Sequence, residues 1–126
     1  MHRPFFILCA IAGFLGVAMG AFGAHGLRAA LDEHRLAIYR TGVDYQMWHA
    51  LALGLIGAIA RQFPEARLLH KAGWFMFAGI VLFSGSLYGL SMTGIRWLGW
   101  ITPFGGLAFL TGWLLLGLSV WRLERR

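Results

Sequence analysis

Charge is scarce in this chain. Charged residues make up 13% of its 126 residues, about half the ~25% usual for soluble globular domains. Acids are scarcest, five Asp and Glu against eleven Lys and Arg. That excludes a small soluble domain with a polar coat. Cysteine is nearly absent too: Cys9 stands alone, so no intrachain disulfide is possible. It reads as a small buried or lipid-facing residue. Long linkers, low-complexity tracts and strong internal repeats are also missing, and residues 1–126 read as one domain.

Hydrophobic residues, 59% of the chain, give a mean hydropathy of +0.67. They come in uncharged blocks, not amphipathic stripes, which indicates lipid as the solvent. Residues 4–24, 72–92 and 97–121 carry no charge, and each reaches the ~20 helical residues that a bilayer needs. A fourth span emerges only if the apolar run 47–60 is extended back to about Gly42. The fold expected is all-α, a four-transmembrane-helix bundle with spans at about 4–24, 42–60, 72–92 and 103–121. The first apolar run exceeds the ~7–15 residues of a signal-peptide core, so no cleaved leader is expected.

The net charge of +6 does not point to nucleic acid. The basic residues lie in short segments between apolar blocks, as topology determinants and contacts to anionic lipid do. With four spans, one side holds Arg3, Arg61, Arg67, Lys71, Arg122, Arg125 and Arg126; the other holds Arg28, Arg35, Arg40 and Arg96. Both termini are therefore expected in the cytoplasm.

In the first span Gly13, Gly16, Gly20 and Gly23 share a face, with a GxxxG pair at Gly16 and Gly20. The third carries Gly85 and Gly89 at the same spacing. Such faces let helix backbones approach closely in lipid, inside a bundle or across a homodimer. Between the first two spans, Leu27, Ala30, Leu31, His34 and Ile38 line one helical face. This amphipathic segment lies in the interface plane. Alternatively Asp32 caps one long helix running to Ala60, bent at Gly42. Pro64 breaks the chain between the second and third spans. Thr102 as N-cap with Pro103 at the first helical position starts the fourth; the rival is a longer helix kinked at Pro103. Trp97 and Trp100 suit an interfacial aromatic belt.

The most informative stretch is residues 41–49, TGVDYQMWH, where polar groups enter a membrane helix and need partners. Thr41, Tyr45 and His49 recur every four residues and share a face expected to point inward. Topology puts the candidate polar layer, His25, Asp44, Tyr45, Gln46, His49, Ser84, Ser86, Tyr88 and Thr102, in the outer half of the bilayer. For His49 the plainest reading is a neutral ring bonded across helices to Ser84 or Ser86. A proton-responsive group and a metal ligand shared with His25 and Asp44 are the alternatives. No dedicated metal spacing occurs, so no metal or cofactor is expected. His25 before Gly26 also fits a helix C-cap.

Four phrases carry a family resemblance: GAFGAH at 20–25, TGVDYQMWHALAL at 41–53, LFSGSLY at 82–88 and TPFGG at 102–106. Together, and in this order over nearly the whole chain, they resemble the small bacterial inner-membrane family called domain of unknown function 423, whose eukaryotic relatives are called transmembrane protein 256. The resemblance implies a four-helix integral membrane protein and no established reaction. It makes His25, Tyr45, Gln46, His49, Ser84, Gly85, Ser86, Tyr88, Pro103, Gly105 and Gly106 prominent without giving them roles.

No nucleophile–base pair of known spacing is present, so a non-enzymatic protein is expected. It would contact membrane lipids, itself as a homo-oligomer, or a protein partner, and no nucleic acid. The runner-up is a small transporter or channel component using the polar layer around His49.

Overall fold

Asp32 decides where the second long helix begins. Its side chain accepts the backbone N–H of Arg35 at 2.8 Å, satisfying one of the donors that a helix start leaves open. In this computed structural model, which describes residues 3–125 with side chains from Pro4, the helix then runs unbroken from Glu33 to Gln62. The segment before Arg40 is thus the first turns of that helix, not a separate amphipathic helix. The basic side chains of Arg3 and Arg126, counted for orientation, lie outside the described residues.

Helix α1 (Arg3–Phe22) passes into a π turn, Gly23–Leu27, and α2 is Glu33–Gln62. Helix α3 (Arg67–Gly79), a π segment (Ile80–Ser84) and α4 (Gly85–Thr93) form one continuous rod. A 3-10 turn, Arg96–Trp100, leads into α5 (Thr102–Glu124). No strand occurs among the described residues.

The rods alternate in direction. Along α1 and α2, Phe6 meets Gly57, Cys9 meets Gly54, Met47 covers Gly16, Val43 meets Gly20, and Tyr39 covers Gly23. The α3–α4 rod and α5 pair likewise: Met76 lies on Gly112, Phe109 on Gly79, and Phe83 on Gly105. The core between the rods is built from Phe5, Leu53, Ile56, Leu69, Met76 and Phe109, all nearly solvent-free. The outer faces are apolar as well, with Phe14, Leu51, Trp100 and Leu110 among the exposed side chains, as suits a chain solvated by lipid.

Among the described residues three helices are long and apolar enough to cross a membrane: Pro4–Leu27, Arg67–Thr93 and Arg96–Glu124. The expectation of four is corrected on this criterion, because α2 does not meet it. The reason is local. The unbroken apolar run of α2, residues 50–60, is too short alone, and lengthening it backward takes in His49, Gln46 and Asp44.

One end of the molecule, called distal here, carries the α1–α2 turn and the α4–α5 connection. There Gly94, at φ 75°, ends α4 in the left-handed conformation that glycine tolerates best, and its N–H bonds Leu90 O. Arg35 of α2 donates from Nε to the Ser91 carbonyl at 2.7 Å, placing a cation at the negative end of the α3–α4 rod. Arg35→Gln is expected to lower bundle stability by about 1 kcal/mol, measured as a shift in an SDS-unfolding equilibrium.

At α5 the start differs from expectation. Thr102 is the first helical residue, after Ile101, and its side chain makes no capping bond. Its hydroxyl instead pairs with Ser86 Oγ at 2.6 Å. Gly26 does not cap α1, since its φ is not positive; the chain passes through it in the π turn.

Candidate functional site

Gln46 lies a little over one turn beyond Gly42 on α2 and is 5% exposed. Its amide reaches two other rods. Nε2 donates to the Ala12 carbonyl of α1 at 2.8 Å, and Oε1 accepts the Tyr88 hydroxyl of α4. One side chain thereby ties three rods together. Gly42 makes this possible, because the Tyr88 ring packs where a side chain at position 42 would stand. The Gly42 carbonyl also accepts the Ser84 hydroxyl at 2.7 Å. Ser84 lies at the end of the π segment, a widened turn that shifts register against neighbouring helices.

Farther toward the distal end, Tyr39 donates its hydroxyl to the Met19 carbonyl of α1 and packs its ring on Tyr88, centroids 5.3 Å apart. Ser86 adds its bond to Thr102 and one to its own Phe83 carbonyl at 2.9 Å.

On the opposite flank of α2 stands His49, 4% exposed. Its Nδ1 lies 2.7 Å from the Tyr45 carbonyl, and its Nε2 lies 3.0 Å from Trp113 Nε1. A carbonyl only accepts and an indole N–H only donates, so the two bonds together require the neutral Nδ1–H tautomer. The ring stacks on Phe109 with centroids 3.5 Å apart and planes 12° apart. The cross-helix bond expected for His49 exists, but to Trp113 of α5, not to Ser84 or Ser86. Trp113 is the middle residue of α5, so the layer reaches from the distal end to mid-helix. Trp113→Phe, which leaves Nε2 without its donor, is expected to cost about 0.6–1.7 kcal/mol in an SDS-unfolding equilibrium.

The layer is narrower than the sequence implied. Gln46 meets Tyr88 and Ser86 meets Thr102, Ser84 bonds the Gly42 carbonyl, and His49 stands apart with Trp113, while His25 and Asp44 are exposed. Tyr45 is half-buried and contributes a ring, 4.5 Å from that of Phe83. Thr41 is exposed, its hydroxyl returned to Ala37 O at 3.0 Å; the face it shares with His49 points inward only at its deeper end. Among the described residues no three His, Cys, Asp or Glu side chains converge as a metal site would require.

The glycine faces divide in the same way. Gly16, Gly20 and Gly23 meet α2, Gly89 meets Leu98, and Gly105 meets the Phe83 backbone. Gly106 only touches the Phe83 ring at 4.0 Å, and a side chain at Gly13 or Gly85 would meet nothing within 4 Å.

Beside His49, between α2 and α5, a cleft of about 850 Å³ opens sideways, walled by Tyr45, Trp48, Phe83, Leu107, Phe109 and Trp113. Its walls are almost wholly apolar. Trp113, Phe109 and Tyr39 were missing from the sequence reading. Trp113 and Phe109, inside an apolar run, read as lipid-facing until the register between helices is known, whereas Tyr39 lies in the charged segment before Gly42.

Residues 19–106 match the family described as "Protein of unknown function (DUF423)". The chain is 50% identical over 114 residues to the UPF0382 membrane protein YwdK of Bacillus subtilis, covering 90% of this chain and 93% of that one. It is 46% identical over 120 residues to a UPF0382 membrane protein of Staphylococcus haemolyticus, covering 95% and 97%. A Staphylococcus aureus relative of the same name is 44% identical over 120 residues, with the same coverage. No solved structure matches.

Proposed function

The chain belongs to the DUF423 family of membrane proteins of unknown function, and from that footing we propose a non-enzymatic structural or interaction protein of the cell inner membrane. It crosses four times, with both termini in the cytoplasm, and contacts lipid, itself or a protein partner.

The observation that carries this reading is the saturation of the polar layer. Gln46, His49, Ser84, Ser86 and Tyr88 each spend their hydrogen bonds on another rod or on their own backbone. In lipid such bonds favour a defined helix arrangement. A transport pathway instead needs polar groups held ready for water or substrate, and the cleft beside His49 is apolar.

The fourth crossing is supported by register. Residues 39–57 of α2 lie antiparallel against residues 6–23 of α1, so α2 passes through the slab that α1 spans. Gln46 and His49 escape lipid by facing inward, and both lower the hydropathy of the segment. The Gly16 and Gly20 pair serves packing within the bundle, whereas Gly13 and Gly85 are left open for contact with a second copy.

Two measurements test the proposal. Crosslinking in native membranes should capture neighbours of the chain; a solitary monomer without lipid preference counts against it. Proteoliposomes should show no solute flux that depends on His49. Flux lost in His49→Ala would favour the transporter reading instead.

A further inference from the structure

At the proximal end, where α3 begins and α5 finishes, a cavity of about 220 Å³ lies between the two rods. Arg67 and Arg122 both line it, with Glu65, Ala66, Leu68, Ser119 and Leu123 completing the wall. The two arginines, both exposed, stand on elements 55 positions apart in sequence and line one cavity. Ser119, 3% exposed, forms part of the wall and directs its hydroxyl proton to Leu115 O. Ala66, at the N-cap of α3, makes no capping bond, and the helix start beside Arg67 adds to the positive potential. A planar, permanently charged guanidinium is well matched to phosphate oxygens.

We propose that this cavity binds the phosphodiester of an anionic phospholipid from the leaflet at the proximal end. The apolar flanks of α3 and α5 below it, with Trp74 and Leu118 exposed, would receive the acyl chains. The assignment rests on the membrane reading of the α3–α4 rod and α5 alone. Both arginines stay at one end of that hairpin whether or not α2 crosses, so a three-span topology would leave it standing.

The test is native mass spectrometry of the full chain in detergent with equimolar dioleoyl phosphatidylglycerol and dioleoyl phosphatidylcholine. Wild type should retain phosphatidylglycerol preferentially. The R67Q/R122Q variant should lose that retention by about tenfold or more, the scale expected for two membrane-proximal cations. The R61Q/R125Q variant removes equal charge at the same end but outside the cavity, and should retain the lipid. Equal loss in both variants, or no preference in wild type, overturns the proposal. Binding of millimolar inorganic phosphate without retention of phosphatidylglycerol would assign the site to a soluble anion and overturn the lipid assignment.

Discussion

Gly105→Ala is expected to cost about 2 kcal/mol or more of bundle stability, while Gly106→Ala, one residue on, should change it by less than about 0.5 kcal/mol. The contrast is geometric. A Cβ on Gly105 would sit 2.7 Å from the Phe83 Cα and closer still to its backbone nitrogen. Backbone atoms cannot rotate aside as a flexible side chain can, so α5 must move away from the π segment. That movement would disturb the Ser86–Thr102 bond and the Phe109–His49 stack. At Gly106 the nearest atom is the Phe83 ring at 4.0 Å, and alanine's higher helix propensity offsets any small loss. Unfolding equilibria of both variants in mixed SDS micelles measure the difference; similar costs would mean that α5 does not approach Phe83 closely.

Gln46→Leu should destabilise by about 1–3 kcal/mol, because the Tyr88 hydroxyl then stays buried without its acceptor. The Ala12 carbonyl suffers less, since it already closes the ladder of α1. Tyr88→Phe leaves Gln46 Oε1 short of a donor and should cost a comparable amount. The double variant removes both ends and should cost less than the sum of the two single changes. A coupling of about 1 kcal/mol is expected. Strict additivity would show that the two side chains do not meet.

Much of this was legible in the sequence, and the limits have physical causes. Uncharged blocks long enough to span a bilayer marked α1, the α3–α4 rod and α5. Asp32 offered one of two readings of the segment before Gly42, and the long capped helix is the one that forms. Residues 45–49 were recognisable as needing partners, because lipid offers none. Their partners were not recognisable. A single sequence fixes periodicity within a helix but not register between helices, so Trp113 could not be told from a lipid-facing tryptophan. For the same reason Gly42, Gly73, Gly79 and Gly112 were not seen as seats for Tyr88, Phe5, Phe109 and Met76. The π segment at residues 80–84 has no residue signature, yet it sets where Phe83 and Ser84 point. His25 and Asp44 were drawn into the layer by their depth in the span order, which does not tell the inward face from the outward one, and both are exposed. Gln46 and His49, which lower the hydropathy of α2, are also the groups that bond it to its neighbours.

The central claim is that the polar layer is a dry lock between helices. Ser84, 1% exposed, sits within it, and its replacement by cysteine in a Cys9→Ser chain tests the claim most directly. Native membranes would be treated with a membrane-impermeant thiol reagent, with Thr93→Cys, at an exposed position, as the reference. A dry lock predicts rapid labelling at position 93 and none at position 84. Labelling at position 84 as fast as at position 93 would place water in the layer and contradict the account.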